Sequence, residues 1–229
     1  MGEVEDTQES EPTRKSFGWP FWLFVVLLIA ILAGFTQPMV RRSHRTSDQT
    51  EVVRNLRQIG LAIFEFDTEY GVYPNDTTAA LVTKKHPGHG HNLSGNSSNA
   101  LFRQLFAAGL TQSERMFYAK VQGTRKPNND ISPGEALKKG EVAFGYIAGL
   151  SSEGNPARPI AFCPIIPGTD RFDPKPFDGK ACVLRGDGSV TSVNIDKHGH
   201  VLLGGVNMLS AENPIWGDDD KIDIRYPDL

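Results

Sequence analysis

Apolar and polar positions divide this chain into stretches of different period. From Phe17 to Val40 no residue is ionisable over 24 positions, and the centre of the run reads FWLFVVLLIAILAGF. At about 1.5 Å of rise per residue, a helix of that length reaches about 36 Å. That is enough to cross a hydrocarbon core of about 30 Å with some tilt. The run therefore predicts a transmembrane anchor over 17–40, with Trp19 and Trp22 suited to an interfacial aromatic belt. Val52, Leu56, Ile59, Ile63, Phe66 and Tyr70 then recur every three or four residues. This spacing puts one apolar stripe on a helix that continues over 41–74 and packs against a soluble domain. Pro38 should bend the long helix where it leaves the membrane, and Gly71 with Pro74 should end it.

Residues 75–140 are mostly polar and read as loops, with a helical turn at Ala79–Val82 and a short helix over ALFRQLFAAGL, capped by Asn99 and closed by Gly109. From Glu141 the period shortens. EVAFGYIAG, RPIAFCPI, KACVLRGDGSVTSVNI and HVLLGG are short β-prone runs separated by Pro, Gly, Asn and Asp, the pattern of an antiparallel meander of about four strands. Gly186, Asp187 and Gly188 offer positive φ angles for one hairpin, and Asp196 to Gly199 for the next. Ile222–Tyr226 is a candidate edge strand. The predicted class is α+β, a long N-terminal helix packed on a C-terminal antiparallel meander. The 141–229 stretch holds the sheet and tail, and the whole of 41–229 is one soluble domain.

Charge refines this picture without naming a function. The net charge of −3 carries no signature of nucleic-acid binding. Residues 1–16 read as a disordered, acidic and polar leader or tail (Glu3, Glu5, Asp6, Glu9, Glu11) with Arg14 and Lys15 near its end, unlike the basic start of a cleaved secretory signal. Arg41, Arg42 and Arg45 follow the span, suit lipid headgroups, and outnumber Arg14 and Lys15. Taken alone they would put the domain in the cytoplasm, but a long following domain weakens that rule and leaves topology open. Cys163 and Cys182 match neither a CxxC motif nor a zinc knuckle. They read as buried thiols; in an oxidising compartment they could pair, closing a loop of about 20 residues for about 3 kcal/mol.

Candidate chemistry is sparse. His86, His89 and His91 lie within one glycine-flanked loop and could meet a zinc, copper or nickel ion, but the spacing matches no recognised metal pattern and a solvated loop is the favoured reading. Asp218, Asp219, Asp220 and Asp223 concentrate carboxylates, and Asp218, Asp220 and Asp223 could converge on calcium around a bend, without EF-hand spacing. No other cofactor is implied. Cys163 precedes Pro164 in a predicted strand, and neither GxSxG nor HExxH is present. A hydrolase would have to gather His198, His200, Asp187 and Cys163 into one pocket.

The order of parts carries a resemblance: a basic pair, an apolar helix ending in AILAGFTQP, the polar turn RRSHRTSDQTE, then NLRQIGLAIFEFDTEYGVYP and a β-meander. From Lys15 to Pro74 the chain resembles the type IV pilin-like family, in particular the pseudopilins of bacterial type II secretion systems. FDPKPFDGKACVLRGDGSVTSVNIDKHG looks like a C-terminal region of pilin-like proteins of planctomycete and verrucomicrobial type. The resemblance implies a non-enzymatic structural subunit in the bacterial inner membrane, N-terminus cytoplasmic and domain periplasmic. Its partners would be the lipid bilayer and other pilin-like subunits or inner-membrane secretion proteins. It also puts a candidate processing site at Ser16 and Phe17, with Ser16 where the family has glycine. Phe21 falls where the family has its assembly glutamate, and Phe177 where it has a histidine before the Asp-Gly turn. A carboxylate in the bilayer is costly unless a neighbour's amine compensates it, so Phe21 removes both a cost and an assembly cue. The alternative is a membrane-tethered binding module that does not polymerise.

Overall fold

The computed structural model describes residues 18–217 and 222–229, without the side chains of 33–44. The acidic tail, Ser16, Phe17 and Asp218 to Lys221 lie outside that set. The chain divides between Ser43 and His44 into two units. Helix α1 (Trp19–Tyr70) is continuous through Pro38, and the bend expected there falls among side chains outside the described set.

Within the second unit the predicted stripe is buried. Val52, Leu56, Ile59, Ile63 and Phe66 are closed off from solvent, and Tyr70 stacks on Phe66 with ring centroids 4.3 Å apart. Each such side chain contributes about 1.5–3 kcal/mol relative to exposure. The helix stops at Gly71, whose φ of 76° no β-carbon-bearing residue adopts cheaply. Its N–H donates to the Asp67 carbonyl at 2.7 Å.

Two helices follow, α2 (Asp76–Lys85) and α3 (Ser98–Ala107), and then a 3-10 turn at Glu114–Phe117. The strands are β1 (Gly145–Ala148), β2 (Pro159–Cys163), β3 (Lys180–Arg185), β4 (Val190–Asn194), β5 (Leu202–Leu203), β6 (Val206–Asn207) and β7 (Asp223–Arg225). Five form one antiparallel sheet in the order β4-β3-β2-β1-β7. The fold is therefore α+β, as the period change predicts.

Both faces of the central sheet are covered. Tyr146, Ala148, Cys163, Cys182 and Leu184 share a core with α1 and α3, while Ile147, Phe162, Ala181 and Val183 share one with Phe172, Val201, Met208 and Trp216. Double coverage explains why β2 is an unbroken buried run and not an alternation. A register shift between Pro159 and Ala161 adds one residue there, and Ile160 and Ala161 both join the α1 side. Gly60 lets α1 approach closely, since a Cβ there would lie 3.0 Å from Leu184 Cδ1.

Several expectations are corrected. HVLLGG does not extend the meander: after the bridge Ile195↔Val201, β5 and β6 pair with each other as a separate ribbon. Asn213 holds that ribbon, donating to the carbonyls of Leu203 at 3.0 Å and Val206 at 3.1 Å. The sheet reaches five strands, not four, because β7 pairs with β1 at the predicted edge. Residues 76–85 form a full helix and not a single turn, started by a capping box in which Asn75 accepts from Thr77 and Thr78 and Thr78 accepts from Asn75 N–H. The cap of α3 is Ser97, not Asn99. Asn99 lies inside the helix and donates to the Leu137 carbonyl at 3.0 Å while accepting from Asp228 N–H at 2.9 Å. In the β3–β4 hairpin only Gly188 has positive φ, whereas Gly186 packs against the backbone of Asn155 and Pro156.

Candidate functional site

Two surfaces stand out, one on each unit. On the first, Trp19, Trp22, Phe24, Val26, Leu27, Ile29 and Leu32 are all more than half exposed, and no ionisable residue interrupts Trp19–Leu32. Phe21 meets the edge of Trp22 with centroids 6.4 Å apart. Among the described residues no helix is long and apolar enough to cross a membrane. The apolar side chains described here, Trp19 to Leu32, reach about 21 Å, short of a hydrocarbon core of about 30 Å. The rest of the predicted span lies outside the described side chains. Of the three arginines after it, Arg45 pairs with Asp178.

On the second unit, the turn after α1 and the adjoining sheet border an open cavity of about 330 Å³, lined in part by Tyr73, Ser151, Asn155, Arg158, Trp216 and Asp223. The turn after α1 delivers Tyr73, whose N–H donates to the Leu150 carbonyl at 2.9 Å. Its ring is wholly buried, and its hydroxyl has no hydrogen-bond partner among the described residues. Burial, with the charge of Asp67 beside it, holds the Tyr73 phenol above its ordinary pKa, so it stays a neutral donor. Asp67 is buried too. Its Oδ2 accepts from Ser152 N–H at 3.2 Å and from the Ser152 hydroxyl, while Oδ1 has no such partner among the described residues. Across the cavity Arg158 lies over the Trp216 ring, 5.5 Å from its centroid, and donates to the carbonyls of Ile215 at 2.9 Å and of Trp216. Ser151, Asn155, Arg158 and Asp223 give the cavity polar groups that can hydrogen-bond a small polar molecule, and Asp67 is not part of that lining. The Ser152 hydroxyl and the Asp67 carboxylate that accepts from it form a hydroxyl–carboxylate pair, and neither is among the residues that line the cavity.

The sequence candidates scatter. Cys163 is wholly buried on the α1 side of the sheet, Asp187 sits in the turn between β3 and β4, and His198 and His200 sit in the turn beyond β4. The last three lie at opposite ends of one hairpin, so the four are not brought together. His86 faces Glu69 at 3.5 Å, and His89 lies 3.2 Å from the Thr83 hydroxyl. His91 stacks on His89, and burial lowers its pKa. Asp218 and Asp220 of the calcium set lie outside the described residues, and Asp223 is engaged by Arg225 at 2.6 Å. Among the described residues no three His, Cys, Asp or Glu side chains could jointly hold a metal ion. Phe177 is a core residue.

Tyr73, Asp67, Arg158 and Trp216 were not singled out from sequence. One signal was available: Asp67 follows Ile63 by four positions, which puts a carboxylate beside the buried stripe. Nothing in the local sequence joins it to Arg158 or Trp216. No protein-family model, no curated protein and no solved structure matches this chain.

Proposed function

We propose that the chain is a non-enzymatic, membrane-anchored structural subunit of pilin-like build, in an assembly of the type II secretion or type IV pilus kind. The carrying observation is helix α1. A single helix bears an exposed, uncharged apolar surface at Trp19–Leu32 and, further along, a stripe that is fully buried on an antiparallel sheet. The first surface needs lipid or a neighbouring apolar helix to cover it; the second fixes a folded domain to the same helix. In this reading the N-terminus is cytoplasmic, 17–40 is in the bacterial inner membrane and the domain is periplasmic.

The test is the N-terminus of the membrane-extracted protein, by intact mass and terminal sequencing, together with cross-linking in intact cells. A chain that begins at Phe17 and cross-links into ladders supports a processed subunit. A chain that keeps its acidic leader and stays monomeric overturns it in favour of the second reading, a fixed, tethered binding module. The cavity lined by Tyr73, whose hydroxyl has no hydrogen-bond partner among the described residues, is the observation that favours that alternative.

A further inference from the structure

The two cysteines are 19 positions apart in sequence and directly opposite each other in the sheet, Cys163 on β2 facing Cys182 on β3 as Cα partners. Directly opposed residues of an antiparallel pair project to the same face, with Cα atoms about 4.5 or 5.5 Å apart according to the type of pair. Both values fall inside the range of about 4.4–6.8 Å that a disulfide spans. Both side chains are buried as free thiols in the core shared with α1. Cys182 Sγ lies 3.6 Å from the Ser192 hydroxyl, which itself accepts from Gln49 Nε2 at 2.8 Å. Turning Cys182 toward Cys163 therefore gives up one weak contact and leaves Ser192 partnered.

We infer that Cys163 and Cys182 form a cross-strand disulfide when the chain folds in the presence of a dithiol-oxidising disulfide donor, and that the pairing is set before the sheet closes over it. The donor is a disulfide, either glutathione disulfide or a disulfide-carrying oxidoreductase. One cysteine thiolate attacks it and expels the donor's first thiolate. The second cysteine thiolate then displaces the donor's other sulfur. The chain loses two protons and two electrons, and the donor's disulfide becomes two thiols.

The timing follows from burial. Desolvation holds the Cys163 thiol well above its ordinary pKa, with Cys182 beside it acting in the same direction, and holds Cys182 up as well. Neither thiolate is available in the folded sheet, and no donor can reach either sulfur. Once closed, the sheet keeps whichever state it folded in. This inference rests on the strand register and not on the membrane reading, so the two can fail separately.

The full chain, in detergent, would be unfolded and reduced, then refolded with and without a mixture of glutathione and glutathione disulfide. The same mixture would be applied to chain that is already folded and reduced. Maleimide trapping under denaturing conditions with intact mass counts the thiols. The expected result is loss of both thiols and about 2 Da on oxidative refolding, no loss over hours in the folded reduced chain, and a Tm raised by about 5–10 °C in the oxidised form. Refolded chain that keeps two thiols, or carries glutathione or a second chain on either one, overturns the pairing. Folded chain that oxidises as fast as unfolded chain overturns the order of events.

Discussion

A carboxylate that exchanges water for a single firm hydrogen bond keeps its proton to a higher pH than one in solvent, and Glu114 is in that position. It is wholly buried, its Oε1 accepts from Leu137 N–H at 2.6 Å, and its Oε2 has no hydrogen-bond partner among the described residues. Burial raises its pKa, and the nearby charge of Glu141 adds to the rise. Because the folded value is the higher one, the unfolded chain releases this proton first, from about pH 4.3 upward. Stability from this site is therefore lost as pH rises through the folded value. Glu114→Gln keeps an acceptor for Leu137 and removes the titration, so urea denaturation from pH 4 to 8 should show a flatter profile than wild type. A profile of unchanged slope would put the proton elsewhere. Asp187 and Asp196 act with the opposite sign: hydrogen bonds from Ser189, and from the His200 and His198 backbone, lower their pKa values. Their contribution is present above about pH 3.9 and fades as acid is added. Gly145 is a purely steric case. A Cβ there would lie 2.5 Å from the ring of Phe162, its partner across β1 and β2, so Gly145→Ala should cost about 1–3 kcal/mol by chemical denaturation.

Helix α2 and strand β7 are secured at their ends by polar side chains. Asn75→Ala removes the oxygen that accepts from Thr77 and Thr78, and should cost about 1 kcal/mol, read as a lower denaturant midpoint with an unchanged m-value. Arg225 is the joint between the two elements, donating to Asp223 at 2.6 and 2.7 Å and to Asp76 at 2.7 Å. The carboxylates raise its pKa, so it stays charged at any pH the fold survives. Arg225→Ala should cost about 1.5–3 kcal/mol, with faster amide exchange in β1 and α2 than in β4; uniform exchange would mean that the clasp is not local. These ends also show why some of the fold is legible in the sequence and some is not. The stripe from Val52 to Phe66 is a local period, and burial followed it. Asn99 and Ser97 are both good caps by type, and what separates them is the distant Leu137 carbonyl that holds the Asn99 amide. HVLLGG has strand composition, yet Asn213 and the β6 ladder decide where it pairs. The Tyr73 cavity draws on residues from 73 to 223 and leaves no short motif.

At the scale of the molecule, the division between Ser43 and His44 has a direct consequence for handling. The second unit contains its own stripe, sheet and both cores, so a chain of residues 44–229 should unfold cooperatively and stay in solution without detergent. The full chain should partition into membranes and resist carbonate extraction. Full chain that washes off would remove the anchor from the proposed function while leaving the fold untouched. The sheet also closes late. Strand β1 pairs with β7 through Tyr146↔Arg225, about 80 residues further on, and the same terminal segment meets α3 where Ser98 N–H donates to the Tyr226 carbonyl at 2.9 Å. At a synthesis rate of about 5–20 residues per second, β1 waits about 4–16 s for its outer neighbour. For those seconds an apolar strand edge stands unpaired, a template for any other extended chain nearby. The birth of this protein, more than its finished form, is where a holding chaperone would matter.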